Sequence, residues 1–357
     1  MINSIISGTG SILPEKVIPN SYFSDHEFFS KEGIKIRKPA AEVIAKLEEI
    51  SGITSRRYIS DQEDNVPMIK AAGENAIADA GLNKTQIDGI IVAHNTGNMV
   101  PDNPGHWDSV PNLASLAKNI LGIKNHECFA YDILFGCPGW VQGLIQAHQA
   151  IQNGDANHVL VIGVEVISRV LDPHDLDSML LGDGCGAVIL SKSERDNKAG
   201  VLGYATFSHC QEDCHTIYIG KSNNPDFGNT KFFKMNGREV YRYATKWVPQ
   251  VIKKGLEKVG KSMDEVDLFL FHQANGKMIE AIGNNISRLF DVDFKVLKER
   301  IPITIGFTGN TSVASIPTML DMIRNKQLDK FEIKDGQLVA MVSVGAGMQC
   351  NAILYQF

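Results

Sequence analysis

The feature that most constrains this chain is text that recurs at a fixed distance. The segment AGLNKTQIDGIIVAHNTGN, from Ala80, is matched by VGKSMDEVDLFLFHQANG, from Val259. Each holds a glycine that stops a helix, a short polar turn, a single Asp and an apolar strand with a polar end. The two glycines, Gly81 and Gly260, stand 179 positions apart. His158 and Gln337, which open HVLVIGVE and QLVAMVSV, have the same spacing of 179, as do Pro138 and Pro317. Three elements share one gapless offset in a chain of 357 residues, which predicts an internal duplication of about half the chain. The plainer alternative is the generic repetition of α/β proteins. The expected division is residues 1–190 and 191–357.

Within each half, apolar β-branched runs alternate with longer amphipathic stretches. GIIVAH, HVLVIGV and GAVILS read as strands, and VPMIKAAGENAIADAG and REVYRYATKWVPQVIKKGLEKVG read as helices. Buried strands joined by helices imply an α/β fold with sheets covered on both faces. Residues 24–50 carry charged, helix-like text. Residues 97–112, GNMVPDNPGHWDSVPN, read as a long loop, either a surface excursion or a pocket lid.

A hydrophobic share of 43% supports a large core and argues against disorder. The net charge of -6 argues against nucleic acid as a partner, because phosphate rewards a basic face. No apolar run reaches membrane-spanning length. The first residues, MINSIISGTGSILPEK, lack a basic leader with a long apolar stretch, so no secretory signal is expected. The cysteines at 128, 137, 185, 210, 214 and 350 have no scaffold-like spacing. A cytoplasmic chain with reduced thiols is therefore expected.

Cys137 stands where the apolar run Ile133-Leu134-Phe135 meets Gly136-Cys137-Pro138-Gly139 and a helix-like pattern begins. A helix start directs free N–H groups and the positive helix end at one point. A thiol there is expected to titrate below the free value of about 8.5. A small apolar side chain also suits that spot as packing, so this stretch alone leaves nucleophile and packing open. His272 follows a strand tip, in FLFHQANGKMIEAI, and Asn310 lies in FTGNTSVASIPTML ahead of the helix matched to that of Cys137. Taken singly, they read as a satisfied polar residue and a helix cap. The duplication allows all three to meet at a crevice at strand ends, where open α/β sheets bind ligands.

At these residues the chain resembles the thiolase superfamily and, within it, the 3-oxoacyl-[acyl-carrier-protein] synthase III family. The resemblance covers nearly the whole chain. It rests on SGTGSILPEKVIPN, SGITSRRY, Cys137 in FGCPGW, LDPHDLDSMLLGDGCGAVIL, HQAN at 272–275, GNTSVASIP at 309–317 and GAGMQCNAILYQF. It implies a thiolase-like fold of two duplicated halves in αβαβα layers. The first half would carry the nucleophilic cysteine, and the second the catalytic histidine and asparagine. It implies a condensing enzyme that loads an acyl group on Cys137 and forms a carbon–carbon bond with a malonyl- or 3-oxoacyl-thioester. His272 and Asn310 would donate hydrogen bonds to the developing enolate. The backbone N–H groups of Cys137 and Ala346 would form the oxyanion hole, each donor worth about 10²–10³ in rate. A degradative thiolase would need a second catalytic cysteine, which VSVGAGMQ lacks.

The family implies acyl carrier protein as partner, a homodimer, no metal and no cofactor beyond the carrier's phosphopantetheine or coenzyme A. It places Lys277 and Arg242 at carrier-docking positions, with Lys246, Lys253 and Lys254 in the same helical text; an ordinary solvated face is the alternative. Where relatives that use coenzyme A clasp its adenine with Trp and Arg, this chain has Lys46 and Ile50, so carrier-bound primers are expected. The 97–112 segment is longer than the family loop and falls near the acyl pocket. The extended text ahead of SGI resembles a subgroup that includes the ketosynthases of dialkylresorcinol and aryl-polyene pathways, which can take a 3-oxoacyl second substrate. His209, Cys210, Cys214 and His215 have metal-like spacing but no second ligand pair. An acyltransferase forming an ester or amide, and a non-catalytic partner subunit, are the competing functions; the intact Cys137, His272 and Asn310 argue against the latter.

Overall fold

The computed structural model describes residues 3–193 and 199–357. Its first sheet holds β1 (Asn3–Ile12), β2 (Gly89–His94), β3 (Phe129–Leu134), β4 (His158–Glu165) and β5 (Gly184–Ser193), in the spatial order β1-β5-β4-β2-β3. Its second sheet holds β6 (Gly200–Ser208), β7 (Val266–Phe271), β8 (Leu338–Gly345) and β9 (Gln349–Gln356), in the order β6-β9-β8-β7. The second order repeats the first, strand for strand, without a partner for β3. The directions match as well: β2 and β4 are parallel, as are β7 and β8, and β5 and β9 run antiparallel to both of their neighbours. β5 runs on to Ser193, past the expected division at residue 190.

The recurrent text has recurrent structure. Asn83 and Gln86 form a capping box ahead of β2, and Ser262 and Glu265 form one ahead of β7, again 179 residues on. The Asp that follows each box also has one task. Asp88 accepts the backbone N–H of Asn157 at 2.8 Å and Asp267 that of Leu338 at 2.8 Å, so each fixes the start of the neighbouring parallel strand.

The layers follow from strand periodicity, since successive side chains point to opposite faces. In β2, Ile90 and Val92 pack outward against α2 (Val66–Asp79) and α3 (Leu113–Ile120), while Ile91 and Ala93 point inward. In β7, Phe269 and Phe271 pack outward against α5 (Gly237–Val259) and α6 (Gly276–Phe290), while Leu268 and Leu270 point inward. Between the sheets lie α4 (Gly139–Asn153) and α7 (Ser315–Arg324). Trp140, Leu144, Ile316 and Met319 from these helices fill the central core. The result is five layers, αβαβα. Of the charged text at 24–50, only α1 (Ala40–Ser51) is helical; Pro39 stands at its start and fixes an extended approach.

Candidate active site

The ends of β3, β7 and β8 bring Cys137, His272 and the segment Gly345–Ala346 to the same side of the molecule. Cys137 follows β3 through a turn in which Gly136 has φ +71, and Pro138 occupies the cap of α4. The loop after β8 presses on this turn. A Cβ at Gly136 would stand 2.7 Å from the Ala346 nitrogen, and one at Gly345 would stand 2.6 Å from the Cys137 nitrogen. Glycine is needed at both places because two backbones are in contact. The amides of Cys137 and Ala346 therefore lie on adjoining segments.

His272 is 5% exposed and continues β7 by donating its N–H to the Val342 carbonyl at 2.9 Å. Its Nδ1 meets Ser315 Oγ at 2.8 Å, at the start of α7. Ser315 Oγ also accepts the Gln273 backbone N–H at 3.4 Å, which ties the serine to the same turn. Burial pushes the imidazole down to about 4, so it is neutral at pH 7. Of the rest of HQAN, Ala274 and Asn275 also line the cavity that holds Cys137. The Gln273 amide bonds Thr304, Ile305, Phe271 and Pro302, and Asn275 caps α6 by accepting from Met278.

Asn310 is fixed by its backbone, which exchanges bonds with Leu180 at 2.8 Å and Gly182 at 3.0 Å. Its Oδ1 accepts the Ser312 N–H at 2.8 Å, so its NH₂ is the group left to meet a ligand. Cys137, His272 and Asn310 line one cavity, whose apolar wall includes Ile167, Leu180, Leu181, Phe233, Met235 and Met278. A neutral ring donor, a neutral amide donor and a thiol thus face an apolar channel suited to an acyl chain.

The thiol departs from expectation. Burial pushes Cys137 up to about 12, and the nearby Glu165 carboxylate adds to the rise. The bond from Ser312 Oγ to Sγ, at 3.2 Å, opposes it. The helix start is present, but the dry wall of the cavity outweighs it. Cys137 rests as a thiol, not as a thiolate. Ser312, Ser315, Asn95 and Glu165 were not singled out from the sequence. The two serines lie inside GNTSVASIP; Ser312 works across the halves, on Asn95 and Cys137, while Ser315 works within its own half, on His272.

Comparison with known proteins decides the family. The family model described as 3-oxoacyl-[acyl-carrier-protein (ACP)] synthase III matches residues 131–209, and its C-terminal counterpart matches residues 256–357. A beta-ketoacyl-[acyl-carrier-protein] synthase III of Staphylococcus saprophyticus is 31% identical over 349 residues, covering 98% of this chain and 97% of the relative. This chain belongs to the 3-oxoacyl-[acyl-carrier-protein] synthase III family. The synthase III of Staphylococcus aureus strain Newman is also 31% identical, over 99% of this chain and 98% of its own. Among solved structures, the synthase III of Aquifex aeolicus superposes with a TM-score of 0.80 at 28% identity, covering 99% of this chain and all 100% of the other. That of Thermus thermophilus gives 0.79 at 28%, covering 99% of each chain. The thiolase-like architecture of the synthase III family is thus shared along the full length.

Other expected residues lie outside this cavity's wall. Lys277 is half-exposed and paired with Glu49 at 3.3 Å, and Glu49 also holds Lys46 at 2.8 Å. Arg242 is exposed and paired with Glu239. Ile50 lies on α1, partly exposed. Residues 97–112 fold as a small hairpin, Asn98–Met99 with Trp107–Asp108, tied to Asp61 at 3.0 Å and Arg169 at 2.8 Å. None of residues 97–112 lines the cavity around Cys137 in this chain. His209 stacks on Trp247 at 4.1 Å and bonds the Tyr243 hydroxyl at 2.8 Å, which occupies it away from Cys210 and Cys214. Among the described residues no three His, Cys, Asp or Glu side chains are grouped to hold a metal.

Proposed function

We propose that this chain is a condensing acyltransferase, a ketosynthase of fatty acid or polyketide-type lipid biosynthesis. The observation that carries this reading is that Cys137, His272 and Asn310 line one apolar cavity with both donors neutral. Cys137 attacks an acyl thioester, and the N–H groups of Cys137 and Ala346 receive the negative charge that forms on the carbonyl oxygen. The acyl chain lies along Leu180, Leu181 and Phe233. A malonyl-thioester then enters and its bond to the carboxylate breaks, releasing carbon dioxide and leaving the electron pair as an enolate; a 3-oxoacyl-thioester would instead release its acidic C2 proton to solvent. The Nε2–H of His272 and the NH₂ of Asn310 donate to its thioester oxygen, where enolate charge develops. The resulting carbanion attacks the acyl-Cys137 carbonyl, forms the carbon–carbon bond and releases the cysteine. A charged imidazolium or a carboxylate would serve this step less well, the one by giving up its proton and the other by repelling the enolate.

Acyl carrier protein is the proposed donor, through Lys277 and Arg242, and the carrier's phosphopantetheine or coenzyme A is the only prosthetic chemistry required. A homodimer is proposed on the character of β3. This outermost strand leaves Leu134 70% exposed and Tyr131 38% exposed, the kind of apolar edge that a second copy covers. A cytoplasmic setting is proposed on the six free thiols. Among the described residues no helix is long and apolar enough to cross a membrane.

The test is to mix acyl-loaded protein with malonyl- and with 3-oxoacyl-carrier. A carbon–carbon product read by mass, with carbon dioxide released from malonyl-carrier and none from 3-oxoacyl-carrier, supports condensation. Transfer of the acyl group to an alcohol or amine, with no new carbon–carbon bond, would replace it with the acyltransferase reading.

A further inference from the structure

We propose that Glu165 holds the proton that Cys137 gives up on acylation, reached through the hydroxyl of Ser312, with Asn95 fixing both groups. This rests on the reading of Cys137 as the acylated residue. Glu165 closes β4, is fully buried, and keeps one carboxyl oxygen, Oε1, without a hydrogen-bond partner. Such an oxygen is costly when charged and is a ready seat for a proton. Asn95 Nδ2 donates to the other oxygen, Oε2, and also to Ser312 Oγ at 2.7 Å. Ser312 Oγ shares its Asn95 donor with Glu165 Oε2, and on its other side it donates to Cys137 Sγ at 3.2 Å. Carboxyl, hydroxyl and sulfur thus form one chain. Ser312 has φ +49, a left-handed backbone that a serine rarely adopts, so the surrounding structure holds it there against local preference.

The step balances. A sulfur lone pair bonds the thioester carbon, and the carbonyl π pair moves to oxygen. The Ser312 hydroxyl, which donates to Sγ at rest, turns its hydrogen to Glu165 and takes the S–H proton on the oxygen lone pair so exposed. On collapse, the oxygen pair re-forms the carbonyl and the bond to the departing carrier sulfur breaks. The carboxyl then returns its proton through Ser312 to that thiolate. Sulfur that has begun to bond carbon is far more acidic than the resting thiol, so a carboxylate suffices as acceptor. The titratable groups facing Glu165 are His94 from β2, whose influence favours the carboxylate, and Asp183 ahead of β5, whose influence opposes it; Cys137 faces it across Ser312. Burial is the largest influence and brings Glu165 up to about 7, where it exchanges a proton near neutrality.

The experiment is the pH profile of Cys137 alkylation by iodoacetamide, followed on the peptide that carries Cys137, beside acyl loading read by intact mass. In the wild-type protein the rate should rise through a step near neutral pH. Glu165→Gln keeps the volume and the Asn95 bond. It should lose the step and react about a hundredfold more slowly at pH 8. Ser312→Ala, which leaves the carboxyl in place, should lose the step too. A carboxylate that merely repels the thiolate predicts the opposite sign, faster alkylation in Glu165→Gln. That result, an unchanged rate, or a wild-type profile without the step would overturn the proposal, and the last of these needs no variant to fold. Wild-type protein that shows the step but takes no acyl group from any thioester would instead defeat the ketosynthase reading and leave the proton path standing.

Discussion

Ser312 donates its backbone N–H to Asn310 Oδ1 at 2.8 Å, and this one bond decides which end of the asparagine faces the cavity. Asn310→Asp preserves the shape and the accepted bond but replaces the NH₂ donor with a carboxylate oxygen. Decarboxylation should fall by about 10²–10³, as for loss of an oxyanion donor, while acyl-Cys137 still accumulates. Carbon dioxide release and single-turnover mass measure the two steps apart. Equal losses in both would contradict the division of roles.

The pH dependence of the second half-reaction follows from His272. Its imidazole is lowered to about 4 by burial. The neutral donor is therefore present from pH 8 down to about 5 and is lost only as the pH approaches 4. Carbon dioxide release by enzyme already acylated should be flat across that window. A histidine at its ordinary value of about 6.5 would already lose half the rate at pH 6.5, and such a fall would show that His272 is not held neutral.

Gly345 is a point at which a single methyl group should disable the first half-reaction. A Cβ there meets the Cys137 nitrogen at 2.6 Å and the Cys137 Cβ at 2.9 Å. Gly345→Ala must push the cysteine turn away from the Ala346 amide. The expected result is a loss of acyl loading of at least about a hundredfold with a cost of about 1–3 kcal/mol in stability. Loading rate and thermal melting check it. Normal loading would show that these two amides do not serve the carbonyl oxygen.

Donor choice turns on Glu49. It pairs with Lys277 and with Lys46, so the cation proposed to meet an acidic carrier is partly neutralised by its own chain. Acyl-carrier protein should load Cys137 faster than the matching acyl-coenzyme A at low salt. The gap should close as salt screens the pairing and in a Lys277→Glu, Arg242→Glu double variant. Glu49→Gln should widen it. Equal rates from both donors, indifferent to salt and to these variants, would remove the docking assignment.

The sequence disclosed what is periodic or local. The 179-residue repeat of Gly81 and Gly260 foretold two sheets of like topology, and the capping boxes at Asn83 and Ser262 show why that text recurs. Near-continuous apolar runs in GIIVAH and VDLFLF marked strands buried on both faces. Cys137, His272 and Asn310 each sit at the end of a recognisable element, but only the family resemblance of FGCPGW, HQAN and GNTSVASIP taken together gave them roles. The chain from Glu165 through Asn95 to Ser312 was not, because it joins residues up to 217 positions apart and depends on side chains that look ordinary alone. The titration of Cys137 was misjudged for a related reason. A helix start is visible in sequence, but the apolar cavity that outweighs it is assembled from both halves. Residues 97–112 left excursion and lid open, because proline, glycine and asparagine do not reveal where a hairpin is fastened.

The central claim is that Cys137 carries the acyl group, and intact mass after incubation with a panel of acyl thioesters tests it most directly. The wild-type protein should gain the mass of one acyl group, located on the peptide with Cys137, and Cys137→Ala should gain none. An adduct that persists in Cys137→Ala, on Cys185 or elsewhere, would contradict the account.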